Sequence, residues 1–435
     1  MGGHVMIDIN MIRNDPEGVA AKLAKKGFVV DFSDFLHSDR ERRDRIGAVE
    51  ALKASRNKVS ADIPGMKKEG QDVSSVFVRM KEISEQIRIM DEQLAEIDRA
   101  QNDFLSGIPN LPADDVVAGG KDKNVVVDVS GSKPTFSFTP KHHVDLVESL
   151  GMIDYTRGAK LSGNGFWMYR KDGALMEWAL LSYFIETHLR DGYEFILPPH
   201  MLGSACGYTA GQFPKFKDEV YQILDREAPE GFTHFMLPTA ETALVNLHRD
   251  EILDEADLPL KYFAYTPCYR KEAGSYRAEE RGMIRGHQFN KIEMFQYTRP
   301  EDSENALQEL VGKAAELVAG LGLHYRVSKL AAADCSAAMM KTYDIEIWIP
   351  SMNDYKEVSS ASNAGDYQAR RGNMKFRRKD GKSTEFVHTL NASGLATSRI
   401  LPAIVEQYQQ EDGSVMIPEV LRKWMGGRER IESKS

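Results

Sequence analysis

Cysteine is scarce in this chain: Cys206, Cys268 and Cys335 are the only three in 435 residues. Their wide spacing leaves no CxxC pair and no disulfide framework, so buried, reduced thiols in a cytoplasmic protein are expected. Long apolar runs are missing too. No segment approaches the roughly 20 consecutive apolar residues of a membrane helix, which excludes an integral membrane protein. The opening MGGHVMIDIN has no basic segment, apolar run or small-residue cleavage site, so no secretory signal is expected. Positive charge is in deficit, 56 Lys+Arg against 65 Asp+Glu, for a net charge of −9. That balance argues against coating nucleic acid at large, although an average can hide a basic patch. Neither a GxGxxG after a strand nor a GxxxxGK[ST] loop occurs, so phosphate chemistry must rest on side-chain cations, carboxylates and a metal. His142 and His143 are adjacent and do not share a helix face as ligands; no zinc site is expected.

What is present is an ordinary globular composition, 42% hydrophobic and 28% charged, with length for about two or three domains. From Arg40 the chain becomes charged and periodic. Val73, Val76, Met80, Ile83, Ile87, Met90, Leu94 and Ile97 follow alternating steps of three and four, a heptad seam that Gln101 interrupts and Phe104 resumes. Ile46, Val49, Leu52, Val59 and Ile63 form a weaker stripe before it. Pro64-Gly65 between them is expected to end the first helix, making an antiparallel helical coiled-coil hairpin over about 40–105. At 1.5 Å per residue the second helix would reach roughly 50 Å, long enough for a projecting arm. Lys53, Arg56, Lys58, Lys67 and Lys68 face one acid, Asp62, in its outer half. They are either a solvated face or a phosphate-contacting one. Ile108-Pro109-Asn110-Leu111-Pro112 then ends the helical region, and a linker is expected over 108–135.

Beyond it, strand-like runs alternate with helices, among them Phe263–Tyr269, Lys291–Tyr297, Ile345–Pro350 and Glu385–Leu390. Between residues 266 and 297 the chain reads TPCYRKEAGSYRAEERGMIRGHQFNKIEMFQY. Arg270 and Glu272, two apart at a strand end, are expected on one side of the sheet. The guanidinium suits a phosphate and the carboxylate an exocyclic amine. On the returning strand, Phe289 offers a flat surface for a base and Glu293 an anchor for an ammonium group. A salt-bridged hairpin would use the same residues.

This segment resembles motif 2 of class II aminoacyl-tRNA synthetases, specifically that of the seryl-tRNA synthetases. LPTAETALVNLHRDEIL (237–253) is similar to the family's serine-binding TxE loop. SSASNAGDYQARR (359–371) resembles its SSxSNxxDxQxRR run, LNASGLATSRILPAIVEQYQ (390–409) its motif 3, and GYEFILPPHM (192–201) its motif 1. The hairpin sits where the family carries its tRNA-binding arm. The resemblance implies an α+β protein: an N-terminal helical arm (1–107), the linker, and a catalytic domain (136–435) built on an antiparallel β-sheet flanked by helices.

It implies serine activation by ATP with Mg2+, then transfer to serine tRNA; selenocysteine tRNA is left open as a second acceptor. Arg270 would grip the α-phosphate, with Lys271 beside it, Glu272 would read the adenine amino group, and Phe289 would stack under the ring. Arg399 would cover the other face and reach the γ-phosphate. Glu357, Val358, Ser359 and Ser360 match the metal-and-ATP stretch, with Glu357 and Ser360 as metal ligands. Thr239, Ala240, Glu241, Glu293, Asn391 and Ser393 match the serine pocket. Arg277, in a loop reading Arg-Ala-Glu-Glu where Gly-Arg-Asp-Thr is frequent, would join the arm's basic residues in tRNA contact. Motif 3 reads Asn-Ala-Ser where Asn-Gly-Ser is frequent. The seven basic residues of 370–382 either support motif 3 or touch tRNA. A homodimer with motif 1 at its interface is implied, one subunit's arm guiding tRNA to the other's active site. The rivals are an offshoot that loads a carrier protein, and a synthetase-like binding protein without catalysis.

Overall fold

The computed structural model describes residues 7–224, 234–272, 282–381 and 383–433. The chain divides into two compact units, Met1–Ala24 with Phe28–Pro109, and Lys25–Gly27 with Asn110–Ser435.

The first unit is helical. After two short helices come α1 (Ser33–Lys68) and α2 (Ser74–Ser106). Val49, Ile83 and Ile87 are buried between them, with Leu52, Met90 and Leu94 packed alongside. Each fully buried aliphatic side chain of this kind contributes about 1.5–3 kcal/mol. Gln101, the break in the heptads, is buried and donates to Ser38 Oγ at 3.1 Å. Phe104 stacks on Phe35 with centroids 5.5 Å apart.

Pro64 does not end the first helix. Helix α1 continues through it to Lys68. Proline's fixed φ suits a helix, and the cost is one hydrogen bond to the Ser60 carbonyl. Both residues are exposed, so solvent can take up that carbonyl. The chain turns instead at Gly70, whose φ of +74° lies in the left-handed region. The Gln71 amide closes the turn on Met66 O at 3.0 Å. Asp72 then accepts from the Ser74 amide at 2.9 Å to start α2.

The second unit is built on one eight-stranded sheet. Its strands are β1 (Val125–Ser130), β2 (Glu194–Ile196), β3 (Leu260–Tyr269), β4 (Gln288–Thr298), β5 (Tyr325–Lys329), β6 (Lys341–Ile349), β7 (Asp354–Gly365) and β8 (His388–Ala396). They lie in the order β1-β5-β6-β7-β8-β4-β3-β2. Only β2 and β3 pair in parallel. The edge strand β1 falls inside the stretch expected to be linker and pairs with β5.

Helices α3 (Lys171–Arg190), α4 (Ser303–Gly320) and α5 (Thr397–Gln407) join Ile292 and Met294 of β4 in the main core through Phe184, Leu310 and Ile404. Phe295 and Tyr297, one step out of phase on β4, enter a second core with Leu244 and Phe376. The pleat therefore places Phe289, Lys291 and Glu293 on one face of β4, and Asn290 on the other.

One other expectation changes. Glu385–Leu390 is not one strand: Thr384–Phe386 pairs with Lys375–Arg377 in a separate small sheet, and β8 begins at His388. Buried Val387, between them, donates to Met374 O at 3.3 Å. In the basic tract, Arg370 pairs with Asp366 at 2.7 Å. Arg371 is buried and donates to Phe213 O at 2.7 Å. Arg378 joins Glu301 and Glu385, each at 2.6 Å. Three of its arginines thus hold the fold. Lys382 lies outside the described residues.

Candidate adenylate-forming site

A cleft of about 520 Å3 opens on the face of the sheet that carries Phe289 and Lys291. Arg270, Glu272, Arg285, Phe289, Lys291, Glu357 and Arg399 supply its charged and aromatic lining. Strand β3 ends at Tyr269, so Arg270 and Glu272 converge through the turn that follows and not through strand alternation. Glu272 adopts φ +47°, and Arg285 Nε donates to its carboxylate at 2.6 Å. Arg270 Nε donates to Pro238 O at 3.2 Å. Its guanidinium carbon lies 5.2 Å from the Phe289 ring centroid, a cation–π contact that orients both groups. Arg399, at the start of α5, donates to Glu357 O at 2.7 Å and Ile284 O at 3.3 Å. Gly286 belongs to the same wall, where a Cβ would meet Trp167 at 2.0 Å; the tight approach demands glycine.

Beside the cleft lies a buried polar pocket. Lys291 Nζ donates to Thr239 Oγ1 at 2.7 Å and forms an ion pair with Glu293. Asn391 Nδ2 donates to the other Glu293 oxygen at 2.9 Å and reaches Glu241 at 3.4 Å. Gln368 donates to Glu241 at 2.8 Å. Burial, reinforced by the Glu293 charge, pushes the Glu241 carboxyl up to about 7. Cross-strand pairing explains the convergence, since Ser393 and Asn391 of β8 lie opposite Glu293 and Phe295 of β4.

Glu357 and Ser360 are three apart, which in a regular strand would put them on opposite faces. A register shift corrects this. Ser360 and Ser359 oppose Asp344 and Ile345, whereas Glu357 opposes Glu346. Val358 is the extra residue of a bulge, and Glu357 and Ser360 share one face. Ser360 Oγ donates to Asp344. Burial, then the Glu357 charge, drives the Asp344 carboxyl well above the usual carboxylate range. This oxygen-only donor set fits Mg2+, which prefers hard ligands and needs few from protein.

Among the described residues one other group has ligand atoms close enough to share a metal: those of His142, His143 and Glu406 lie within 4.8 Å of one another. Glu406 is already occupied. It accepts from the His143 amide at 2.9 Å, contacts His143 Nδ1 at 2.7 Å, and accepts from the Ser351 hydroxyl at 2.8 Å and amide at 2.9 Å. That saturation fits a structural clasp.

Of the residues expected at ATP, Arg270, Glu272, Phe289, Glu357, Val358 and Arg399 line the cleft, and Lys271, Ser359 and Ser360 do not. The Lys271 amide donates to Glu219 O at 3.0 Å, and the Ser359 hydroxyl donates to Ser393 O at 2.7 Å. Of those expected at serine, Ser393 lines the cleft. Thr239, Glu241, Glu293 and Asn391 form the adjoining network, and Ala240 is buried in the second core. On the hairpin, Lys53 pairs with Asp91 at 3.3 Å, and Lys67 lies 5.4 Å from the Phe77 ring centroid. Arg56 is half-buried, while Lys58 and Lys68 are exposed. Arg277 lies outside the described residues. Sequence reasoning passed over Lys291 and Gln368. Lys291 had a usable signal, standing two residues before Glu293 on the same face.

A sheet of this topology with such a cleft on one face is that of a class II aminoacyl-tRNA synthetase. Residues 225–408 match the family described as "tRNA synthetase class II core domain (G, H, P, S and T)". Residues 6–112 match the "Seryl-tRNA synthetase N-terminal domain". The chain belongs to the seryl-tRNA synthetase family. It is 63% identical to "Serine--tRNA ligase 2" of Clostridium acetobutylicum, over 97% of this chain and 99% of that protein. A seryl-tRNA synthetase from Pyrococcus horikoshii, solved with ATP, superposes with a TM-score of 0.91 at 32% identity, covering 99% of this chain and 100% of the other. The cytoplasmic serine-tRNA ligase of Naegleria fowleri, solved with AMP, gives 0.86 at 29% identity, with 98% and 99% covered.

Proposed function

We propose that this chain is a serine–tRNA ligase, which joins serine to ATP's α-phosphate and passes the seryl group to the terminal adenosine of serine tRNA. The observation that carries the reading is the contiguity of two sites. The buried Thr239–Lys291–Glu293–Asn391 network adjoins a cleft bounded by Arg270, Phe289 and Arg399.

Glu293 and Glu241 receive the serine ammonium, and Thr239, Asn391 and Ser393 surround its hydroxyl. Alanine would leave these polar groups unpaired, which is how such a pocket rejects it. Phe289 and Arg399 hold the adenine between them, and Glu272, fixed by Arg285, accepts from its amino group. Arg270 draws the α-phosphate toward the serine carboxylate, offsetting repulsion between two anions. The carboxylate oxygen forms the new P–O bond as the bond to pyrophosphate breaks on the opposite side. Glu357 and Ser360 would hold Mg2+, which when bound neutralises phosphate charge. In the second step the adenosine hydroxyl of tRNA attacks the seryl carbonyl and AMP leaves.

The arm supplies the tRNA contact through Lys53, Arg56, Lys58, Lys67 and Lys68. A homodimer fits the apolar face of α3, where Leu175, Trp178 and Leu189 are 48–58% exposed. Among the described residues no helix is long and apolar enough to cross a membrane, in keeping with action in the cytoplasm.

ATP–pyrophosphate exchange with a panel of amino acids, followed by charging of serine and selenocysteine tRNAs, tests the reading. Serine-dependent exchange with charging of serine tRNA is expected. Exchange without charging of either tRNA would favour a carrier-loading enzyme, and no exchange with any amino acid would favour a binding protein.

A further inference from the structure

Glu177 lies outside the cleft and belongs to none of the sequence motifs. It sits on α3, whose opposite side exposes Leu175, Trp178 and Leu189, yet its carboxyl is buried at 3% exposure. Such a group is expensive to bury unless it is hydrogen-bonded. One oxygen, Oε1, accepts from Asn290 Nδ2 at 2.7 Å and Thr397 Oγ1 at 2.5 Å. The other has no hydrogen-bond partner among the described residues.

The two donors come from different elements of the site. Asn290 stands between Phe289 and Lys291 on β4, pointing to the opposite face from both. Thr397 is the first residue of α5, two before Arg399, and it also donates to Asn290 O at 3.1 Å. Tyr265 Oη donates to the Asn290 side-chain oxygen at 3.2 Å. Asn290 is thus held at both ends of its amide, and the Glu177–Thr397 bond ties the start of α5 to it. The two groups bounding the adenine space, Phe289 and Arg399, are separated by this triangle.

We propose that Glu177 is a positioning residue for nucleotide binding, setting the gap between Phe289 and Arg399 by joining Asn290 and Thr397 through one oxygen. The inference rests on the activity proposed above. A single acceptor shared by two donors fixes their separation. If it is removed, the Asn290 amide is left buried without its acceptor, Thr397 keeps only its longer bond to Asn290 O, and the two walls lose the acceptor they share.

Glu177 touches neither ligand, so its effect should fall on one substrate. In serine-dependent ATP–pyrophosphate exchange, Glu177→Leu is expected to raise the KM for ATP about tenfold, with the KM for serine changed less than threefold. Glu177→Gln, which keeps a carbonyl oxygen for both donors, should stay within threefold of wild type. Should Glu177→Leu fail to fold, Thr397→Val removes both Thr397 sides of the triangle and leaves the Glu177–Asn290 bond; it should raise the ATP KM about threefold, again sparing serine. An equal rise in both KM values, or a lower melting temperature with unchanged kinetics, would overturn the proposal. So would Gln behaving like Leu. Wild type serves as the control for the underlying activity: absence of serine-dependent exchange there refutes the ligase reading, whereas altered selectivity among the variants bears on the triangle alone.

Discussion

Replacing Glu293 by glutamine is an almost isosteric change that would reverse the electrostatics of the amino-acid pocket. Glu293 is 1% exposed and Lys291 6%, so little solvent is available to take over either charge. In the variant the amide oxygen can still accept from Asn391, but the amide nitrogen then faces Lys291 Nζ and Thr239 Oγ1. Removing one partner of a buried pair costs about 3–5 kcal/mol, because the remaining ion is uncompensated. Serine would meet a pocket holding a bare ammonium, with Glu241 alone left to receive its own ammonium. Losing that charge-assisted bond costs about 2 kcal/mol, and repulsion from Lys291 brings the total near 4 kcal/mol, about a thousandfold in kcat/KM for serine. The KM for ATP should change little, since Arg270, Arg285 and Arg399 keep their contacts and Lys291 alone among the cleft's cations loses its partner. Pyrophosphate exchange with each substrate varied in turn measures both, and thermal unfolding follows stability. The double variant Lys291→Met/Glu293→Gln should regain much of the forfeited melting temperature and none of the activity. A loss under fivefold for serine, or equal losses for serine and ATP, would refute the assignment of Glu293 to the ammonium.

Ser393→Ala should lower kcat/KM for serine about threefold to tenfold, the worth of one neutral hydrogen bond, with an unchanged ATP KM. Stability should hold, because Ser359 bonds the backbone carbonyl of residue 393 and not its side chain; unaltered serine kinetics would remove Ser393 from the pocket. Burial raises the Glu177 carboxyl from an ordinary 4.5 to about 7, so the folded chain holds a proton there that the unfolded chain releases. This group's contribution to stability is therefore fully present below pH 4.5 and is lost as pH rises to about 7, a change of about 3 kcal/mol. Glu177→Gln should flatten that decline in denaturant unfolding between pH 5 and 7.5, and an unchanged slope would show the carboxyl ionised throughout. Neutralising Lys58, Lys67 and Lys68 together should weaken tRNA binding and shallow its salt dependence, by roughly one unit of slope for each phosphate left without its lysine. Pyrophosphate exchange should be unaffected, and equal salt slopes would place the tRNA elsewhere.

Much of this site could be read from residue order alone, because strands carry their geometry in their alternation. Phe289 and Glu293 sit four apart on β4, and a period of two places them on one face whatever else the chain does. Elements that depend on distant partners were harder to read. Pro64 looks like a terminator locally, but at an exposed tip the missing bond is cheap and the left-handed residue at Gly70 decides the turn. Glu385–Leu390 has strand composition throughout, and only the pairing with Lys375–Arg377 shows that it serves two sheets. For Arg370, Arg371 and Arg378 the sequence leaves support of motif 3 and tRNA contact both open, because three of their carboxylate and carbonyl partners come from residues 213, 301 and 385. Glu177 carries no local signal, since nothing in a helix's own sequence reports that a carboxyl finds its donors more than a hundred residues away.

The bulge at Val358 has a bearing on variation in this cleft. Val358 sends its side chain into the main core while the residue also borders the nucleotide space, so what it offers a ligand is its main chain. Exchanging valine for another aliphatic residue would register as a change in packing, on the scale of a core substitution, and would leave the surface met by the nucleotide unaltered. Position 358 can therefore drift with the hydrophobic interior while its neighbour Glu357 answers to the chemistry.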